Sequence, residues 1–257
     1  MPSADAQSLG MLDRGAIEVG LSASELGGEV GIDGSAGALG TDIDLSRDID
    51  VGGRDRSRLL ALRWRPFERH EFGVRAQRYG RMGDKTIRRD LVFDDEVFTI
   101  NSQVQGEINL DVWSVEYIGW VLANDQRALG LSLGALQYRM GLKLAVKNLP
   151  GGAQTEPVDA QVRGDLPVAV LGAEYREQLG SRWRLVLNAA VFKAKINQID
   201  GTVHDLNAGV EYGLTEHVIL AMRYSATRLD AQTARNDLTG RLRLDLSGLQ
   251  AALIWRW

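Results

Sequence analysis

The sequence has no cysteine, three histidines and five prolines in 257 residues. Without thiols there is no disulfide framework, no cysteine nucleophile, no thiolate zinc site and no iron–sulfur cluster. No apolar run approaches the roughly 20 residues that a membrane-crossing helix needs. The best, 166–173, 185–192 and 249–257, stop well short. A basic excess is also missing. The formal net charge of −4 leaves no surplus of Lys and Arg to track phosphates, so no nucleic-acid partner is expected. What is present is an apolar content of 44%, too high for wholesale disorder. Residues 1–7 show no basic start followed by an apolar run, and read as a mature N-terminus behind an added Met. The reading is a flexible segment over 1–14 and a single domain over 15–257.

The dominant pattern has period 2. Leu129, Leu131, Leu133 and Ala135 alternate with Gly130, Ser132 and Gly134. Leu206, Ala208, Val210 and Tyr212 alternate with Asp205, Asn207, Gly209 and Glu211. The same holds for Leu60, Leu62 and Trp64, for Leu185, Leu187, Ala189 and Val191, for Leu220, Met222 and Tyr224, and for Leu249, Ala251, Leu253, Trp255 and Trp257. One face is large and apolar; the other is small, polar or Arg-bearing, with little Lys. A soluble sheet over a core and a membrane barrel with a polar lumen both produce alternation. Strands of about ten residues or more and the small, polar second face favour the barrel.

Ten strands are predicted near 15–33, 58–66, 71–80, 105–122, 128–146, 164–176, 183–196, 202–213, 218–230 and 240–257. Their connections alternate. Those at 67–70, 123–127, 177–182 and 214–217 are short; those at 34–57, 81–104, 147–163 and 231–239 are long, with 197–201 a shorter exception. Short turns on one side, longer loops on the other and an even strand number describe a closed antiparallel up-and-down transmembrane β-barrel with short periplasmic turns and long external loops. One strand resists a single register. Ile108, Leu110 and Val112 share a face that would carry Glu116 into lipid, while Trp113, Val115, Tyr117 and Val121 suit lipid lower down. This predicts a bulge near 111–113 or an upper half standing above the bilayer.

The segments GTDIDLSRDIDV, ALRWRPFERHEFGVRAQRYGR, LVFDDEVFTINSQV, GLSLGALQY, LPVAVLGAEYR and SGLQAALIWRW resemble a family of uncharacterised proteobacterial outer-membrane β-barrel proteins, over roughly residues 25–257. The resemblance implies a bacterial outer-membrane location and brings no catalytic residues with it. Trp257, with Leu253 and Trp255 alternating before it, resembles the terminal aromatic signal read by the barrel-insertion machinery.

Chemistry is sparse. His70 and His217 fall in short turns. His204 faces outward with Leu206 while Asp205 faces the lumen, so the two make a poor dyad. No base is placed for a serine nucleophile. Asp42, Asp44, Asp48 and Asp50 lie in the first long loop, where Asp42 and Asp44 are weak calcium candidates without the EF-hand pattern; a solvated loop is the better reading. The run Asp94, Asp95 and Glu96 is read the same way. Pro150, Gly151 and Gly152 punctuate a turn. No cofactor and no metal is expected. Lys85, Arg88 and Arg89 form a basic cluster that could meet lipopolysaccharide phosphates. By parity Arg63, Arg65, Arg75, Glu116, Glu174, Arg184, Glu211 and Arg223 line the lumen. In a narrow ten-stranded barrel they should pair and plug it. The expected role is structural or at the surface, with outer-membrane lipids as partners. A narrow channel for ions or small solutes is the alternative, and a membrane-embedded hydrolase a second.

Overall fold

The structure is a computed structural model that describes residues 9–33, 40–93, 96–148, 159–196, 199–235 and 238–257. The strands are β1 (Gly15–Ile32), β2 (Ile43–Asp44), β3 (Gly53–Phe67), β4 (His70–Thr86), β5 (Leu91–Phe93), β6 (Glu96–Phe98), β7 (Gln103–Ala123), β8 (Arg127–Asn148), β9 (Asp159–Gln178), β10 (Trp183–Ile196), β11 (Ile199–Gly213), β12 (Val218–Arg235) and β13 (Leu238–Arg256). All but β2, β5 and β6 form one antiparallel up-and-down ring of ten strands, each paired with its sequence neighbour in the ring. The ring closes where β1 pairs with β13, in unbroken register from Ala16↔Arg256 to Ile32↔Gly240. Closure leaves no edge, which a sheet in lipid requires. Short β2 is an appendage on β1, and β5 pairs with β6 as a separate hairpin.

Both ends of the ring follow from the connections. The four short turns and the β1 and β13 ends mark a turn end; the remaining connections mark a loop end. The strands are longer toward the loop end than the periodicity predicts. Of the four long loops expected, only those between β1 and β3 and between β4 and β7 remain long within the described residues. β12 and β13 stay paired as far as Arg235↔Leu238, so most of the loop read at 231–239 is strand. Pro150, Gly151 and Gly152 lie outside the described residues, as do Asp94 and Asp95.

The reason is an inversion of polarity half-way up the wall. Toward the turn end the outward side chains are apolar and exposed: Val19, Leu21, Leu60, Leu62, Leu131, Leu133, Leu187, Leu206, Leu249 and Leu253. An apolar band of this extent is stable in lipid, not in water. It is girdled near the turns by Trp64, Phe72, Tyr117, Trp183, Tyr212, Trp255 and Trp257, with ring pairs such as Phe72–Tyr117 at 5.4 Å and Trp183–Tyr212 at 4.7 Å. Amphipathic rings are favoured at a membrane interface. Toward the loop end the outward residues become Arg, Asp, Glu and Lys. There it is the inward ones that are apolar, among them Leu26, Val30, Ile108, Leu110, Leu142, Leu144, Leu229 and Leu244.

Strand β7 shows the inversion in one register. Ile108, Leu110 and Val112 point inward with Ser114 and Glu116 below them, and no register shift occurs at 111–113 against either neighbour. The expected bulge there is replaced by the second alternative, an upper half clear of the apolar band. Shifts occur instead at Trp64/Phe67, Gln103/Val104 and Trp120/Leu122.

Candidate functional site

The lumen is filled at two levels. At the turn end, inward charges from eight strands form one cluster. Arg184 Nη2 stands 2.6 Å from Glu211 and 3.1 Å from Asp13. Glu211 also accepts from Arg223 at 2.7 Å, and Arg223 reaches on to Glu18. Arg176 bridges Glu174 at 2.6 Å and Glu71 at 3.2 Å. Its guanidinium lies 4.6 Å from the ring centroid of Trp120, whose Nε1 donates to Glu71. Arg63 sits among Glu71, Glu174 and Glu211 at 3.9–4.0 Å. With Arg256 on Asp13 at 2.8 Å, five arginines (63, 176, 184, 223, 256) balance five acids (13, 18, 71, 174, 211). That balance is what makes so many buried charges tolerable.

Asp13 belongs to a strap, residues 9–14, folded into this mouth. The backbone of Leu9 donates to Ser181 O, Arg184 donates to the carbonyls of Gly10 and Met11, and Arg65 donates to those of Leu12 and Asp13. Leu9 packs with Ile219 and Ile254, and Met11 with Ile118 and Trp120. The expected flexible segment therefore does not extend to residues 9–14. Burial works against ionisation of Asp13, but Arg184 and Arg256 outweigh it and hold its carboxyl below the usual range.

The second level is an apolar cap at the loop end. Ile43, Leu45, Ile49 and Val51 from the first long connection and Ile87, Leu91, Phe93 and Phe98 from the second are all buried against the inner wall. Glycines seat them: a Cβ on Gly83 would overlap the Asp50 carbonyl, and one on Gly106 would stand 2.7 Å from Val51 Cγ1. Polar bonds tie the cap down. Arg89 donates to Asp48 at 2.5 Å and to Asp42 O at 2.8 Å, Lys85 to Ser46 O, and Arg241 to Asp42 and Asp33.

Between the two levels lies a chamber of about 190 Å³. Tyr79 and Tyr138 bound it toward the cap, Glu18, Arg63, Glu174 and Arg223 toward the cluster, and Arg75, Glu116, Asn188, Asp205, Asn207 and Gln250 line its side.

A barrel of this form is known. The outer membrane protease OmpT from Escherichia coli matches at a TM-score of 0.63 over 98% of this chain and 100% of that one, with 10% sequence identity. The chain has the fold of an outer-membrane β-barrel. The translocator domain of the autotransporter NalP from Neisseria meningitidis (TM-score 0.44, 10% identity, 98% and 90% covered) and the Ail protein of Yersinia pestis (0.34, 8%, 92% and 97%) also match, too distantly to carry an argument. No protein-family model matches the chain, and no curated protein is similar to it in sequence. The family resemblance read from the sequence is thus met at the level of fold.

Within this outer-membrane β-barrel fold the eight expected lumen charges are all on the inner side, in three roles. Arg63, Glu174, Arg184, Glu211 and Arg223 join the cluster. Arg65 clamps the strap. Arg75 and Glu116 face the chamber, where Arg75 makes no ion pair within 4 Å among the described residues. Glu18, Glu71, Arg176 and Arg256 were missed, although parity with Val19, Phe72, Tyr175 and Trp255 would have placed them; Asp13 carries no such signal.

Of the loop acids, Asp42 and Asp50 are exposed as the solvated reading expects, but Asp44 and Asp48 are not. Asp48 is only 9% exposed and accepts from Asp44 N, Arg47 and Arg89. Asp44 caps the turn by accepting from Ser46 N and Arg47 N. Of the basic cluster, Lys85 and Arg89 hold the cap and Arg88 is exposed. His204 is exposed on the outer wall as parity predicts; His70 Nδ1 meets Tyr117 Oη at 2.7 Å, and His217 Nδ1 meets Arg256 O.

Proposed function

We propose that this chain is an integral protein of the bacterial outer membrane whose barrel does not conduct, and which acts through its outer wall and loop-end surface. One observation carries the reading: the lumen is filled twice, by a charge-balanced cluster closed with the strap and by an apolar cap. Either alone would narrow a ten-stranded ring, which is already near the diameter that side chains fill. The OmpT likeness supports the fold only, so the protease named there is not transferred. His70 and His217 sit in or beside short turns and His204 on the outer wall, none of them in the lumen, which favours a non-enzymatic role. Lipids of the outer membrane, lipopolysaccharide among them, are the partners this surface meets. Leu253, Trp255 and Trp257, exposed on the closing strand, would serve as the signal for the insertion machinery.

Planar-bilayer recording tests the reading. The purified barrel should give no steady conductance at any applied potential. A reproducible open channel whose ion selectivity changes on substituting Glu18 or Arg75 would replace it with transport through the chamber.

A further inference from the structure

Where the outer wall passes from apolar to charged, the first charges are mostly neutralised within the chain. Arg78 reaches Asp111 at 2.5 Å, Arg228 reaches Asp245 at 2.7 Å, and Arg243 reaches Asp230 at 2.9 Å and Glu29 at 3.5 Å. Strand β3 departs from this. Arg54, Arg56 and Arg58 alternate outward directly above Leu60, Leu62 and Trp64, and all three are exposed. Among the described residues none of them has an ion pair within 4 Å. Their cross-strand neighbours explain why. Arg58 lies opposite Leu21 on one side and Arg78 on the other and Arg56 opposite Ala23, so neither has an acid directly across; Arg54 lies opposite Glu25, but the two form no ion pair. Successive outward residues on a strand stand about 7 Å apart. Like charges held at that spacing repel, and the chain supplies little to offset them.

We propose that Arg54, Arg56 and Arg58 bind the phosphate groups of an anionic lipid in the leaflet at the loop end. This rests on the membrane reading above. The height fits: Arg58 is one outward step above Leu60, the last apolar residue of β3, which places the ladder at head-group level. The chemistry fits too. A guanidinium engages phosphate through two parallel N–H donors and is weakly hydrated. Its aliphatic stem can lie along Leu21, Ala23 and Leu60 while the charge stays among head groups. A ladder of three suits a lipid carrying more than one phosphate.

The test is native mass spectrometry of the full chain released from nanodiscs containing either bis-phosphorylated lipid A, its dephosphorylated form, or phosphatidylcholine. Wild type should retain bis-phosphorylated lipid A and neither of the others. The triple variant Arg54→Gln/Arg56→Gln/Arg58→Gln should lose retention by roughly tenfold or more. Arg228→Gln/Arg243→Gln, taken from the paired charges, should retain it as wild type does. Heat-modifiable mobility shows that each variant is folded. Equal retention by the triple variant, equal retention of dephosphorylated lipid A, or displacement by millimolar inorganic phosphate would each overturn the proposal. Failure of wild type to enter nanodiscs at all is a different result: it would overturn the membrane reading, and the lipid site with it.

Discussion

Glu211 shows how much rests on single side chains inside the lumen. It is fully buried and accepts from Arg184 at 2.6 Å and Arg223 at 2.7 Å, while Arg63 stands 4.0 Å away. Glu211→Gln keeps the shape but removes the charge against which the buried guanidiniums of Arg184 and Arg223 are paired. Removing one partner of a buried pair costs about 3–5 kcal/mol. The variant should therefore lower the unfolding midpoint of the barrel in detergent by a corresponding amount, read from loss of heat-modifiable mobility against urea. Replacing Glu211 and Arg184 together with apolar residues of similar volume should cost less than the single change, although Asp13 and Arg223 would each lose one partner. An unchanged midpoint for Glu211→Gln would mean that solvent already reaches the cluster. Glu211 and its partner Arg184 were legible from sequence because each opposes a lipid-facing residue on its strand, Val210 and Leu185. Asp13, the second carboxylate on Arg184, was not, because residues 9–14 alternate with nothing.

At the scale of elements, the lower strands were legible and the upper ones were not. Period 2 marks a strand, but the sign of the apolar face was read as constant along it. On β8 that works from Leu129 to Leu133; above Gln137 the stretch reads correctly as strand to 146, but the apolar residues Tyr138, Met140, Leu142 and Leu144 take the inward side. The cap elements were illegible for another reason. β2, β5 and β6 are two or three residues long, too short for any period to show. The strap makes a prediction at this scale. Deleting residues 1–14 takes one or more partners from each of Arg65, Arg184 and Arg256 but leaves the β1–β13 seam intact. The shortened barrel should still fold and still not conduct, because the cap remains, yet it should unfold at lower urea than wild type. Conductance on deletion would show that the strap is the sole seal.

For the whole molecule, closure is the decisive property. The last strand pairs with β12 and β1 at once, and the backbone of Trp257 exchanges bonds with Gly15 at 3.0 and 3.2 Å. Deleting Trp257, or extending it with a charged tail, should reduce insertion in cells more than refolding in detergent, measured as heat-modifiable mobility of the membrane fraction. If both fall together, the residue serves the seam rather than the insertion machinery.

The inversion of polarity along the wall has a further result for how the barrel comes apart. Ten continuous strands are stabilised by two different solvents in series. Toward the turns the outer face is kept in place by lipid; toward the loops an enclosed apolar core is kept in place by water, as in any soluble β-protein. Urea and cold weaken the second far more than the first. Amide exchange followed in bilayers under rising urea should therefore release Leu142 and Leu244 well before Leu131 and Leu253, although each pair shares a strand. The position along each strand where protection rises should trace, residue by residue, the line at which the bilayer surface meets the protein.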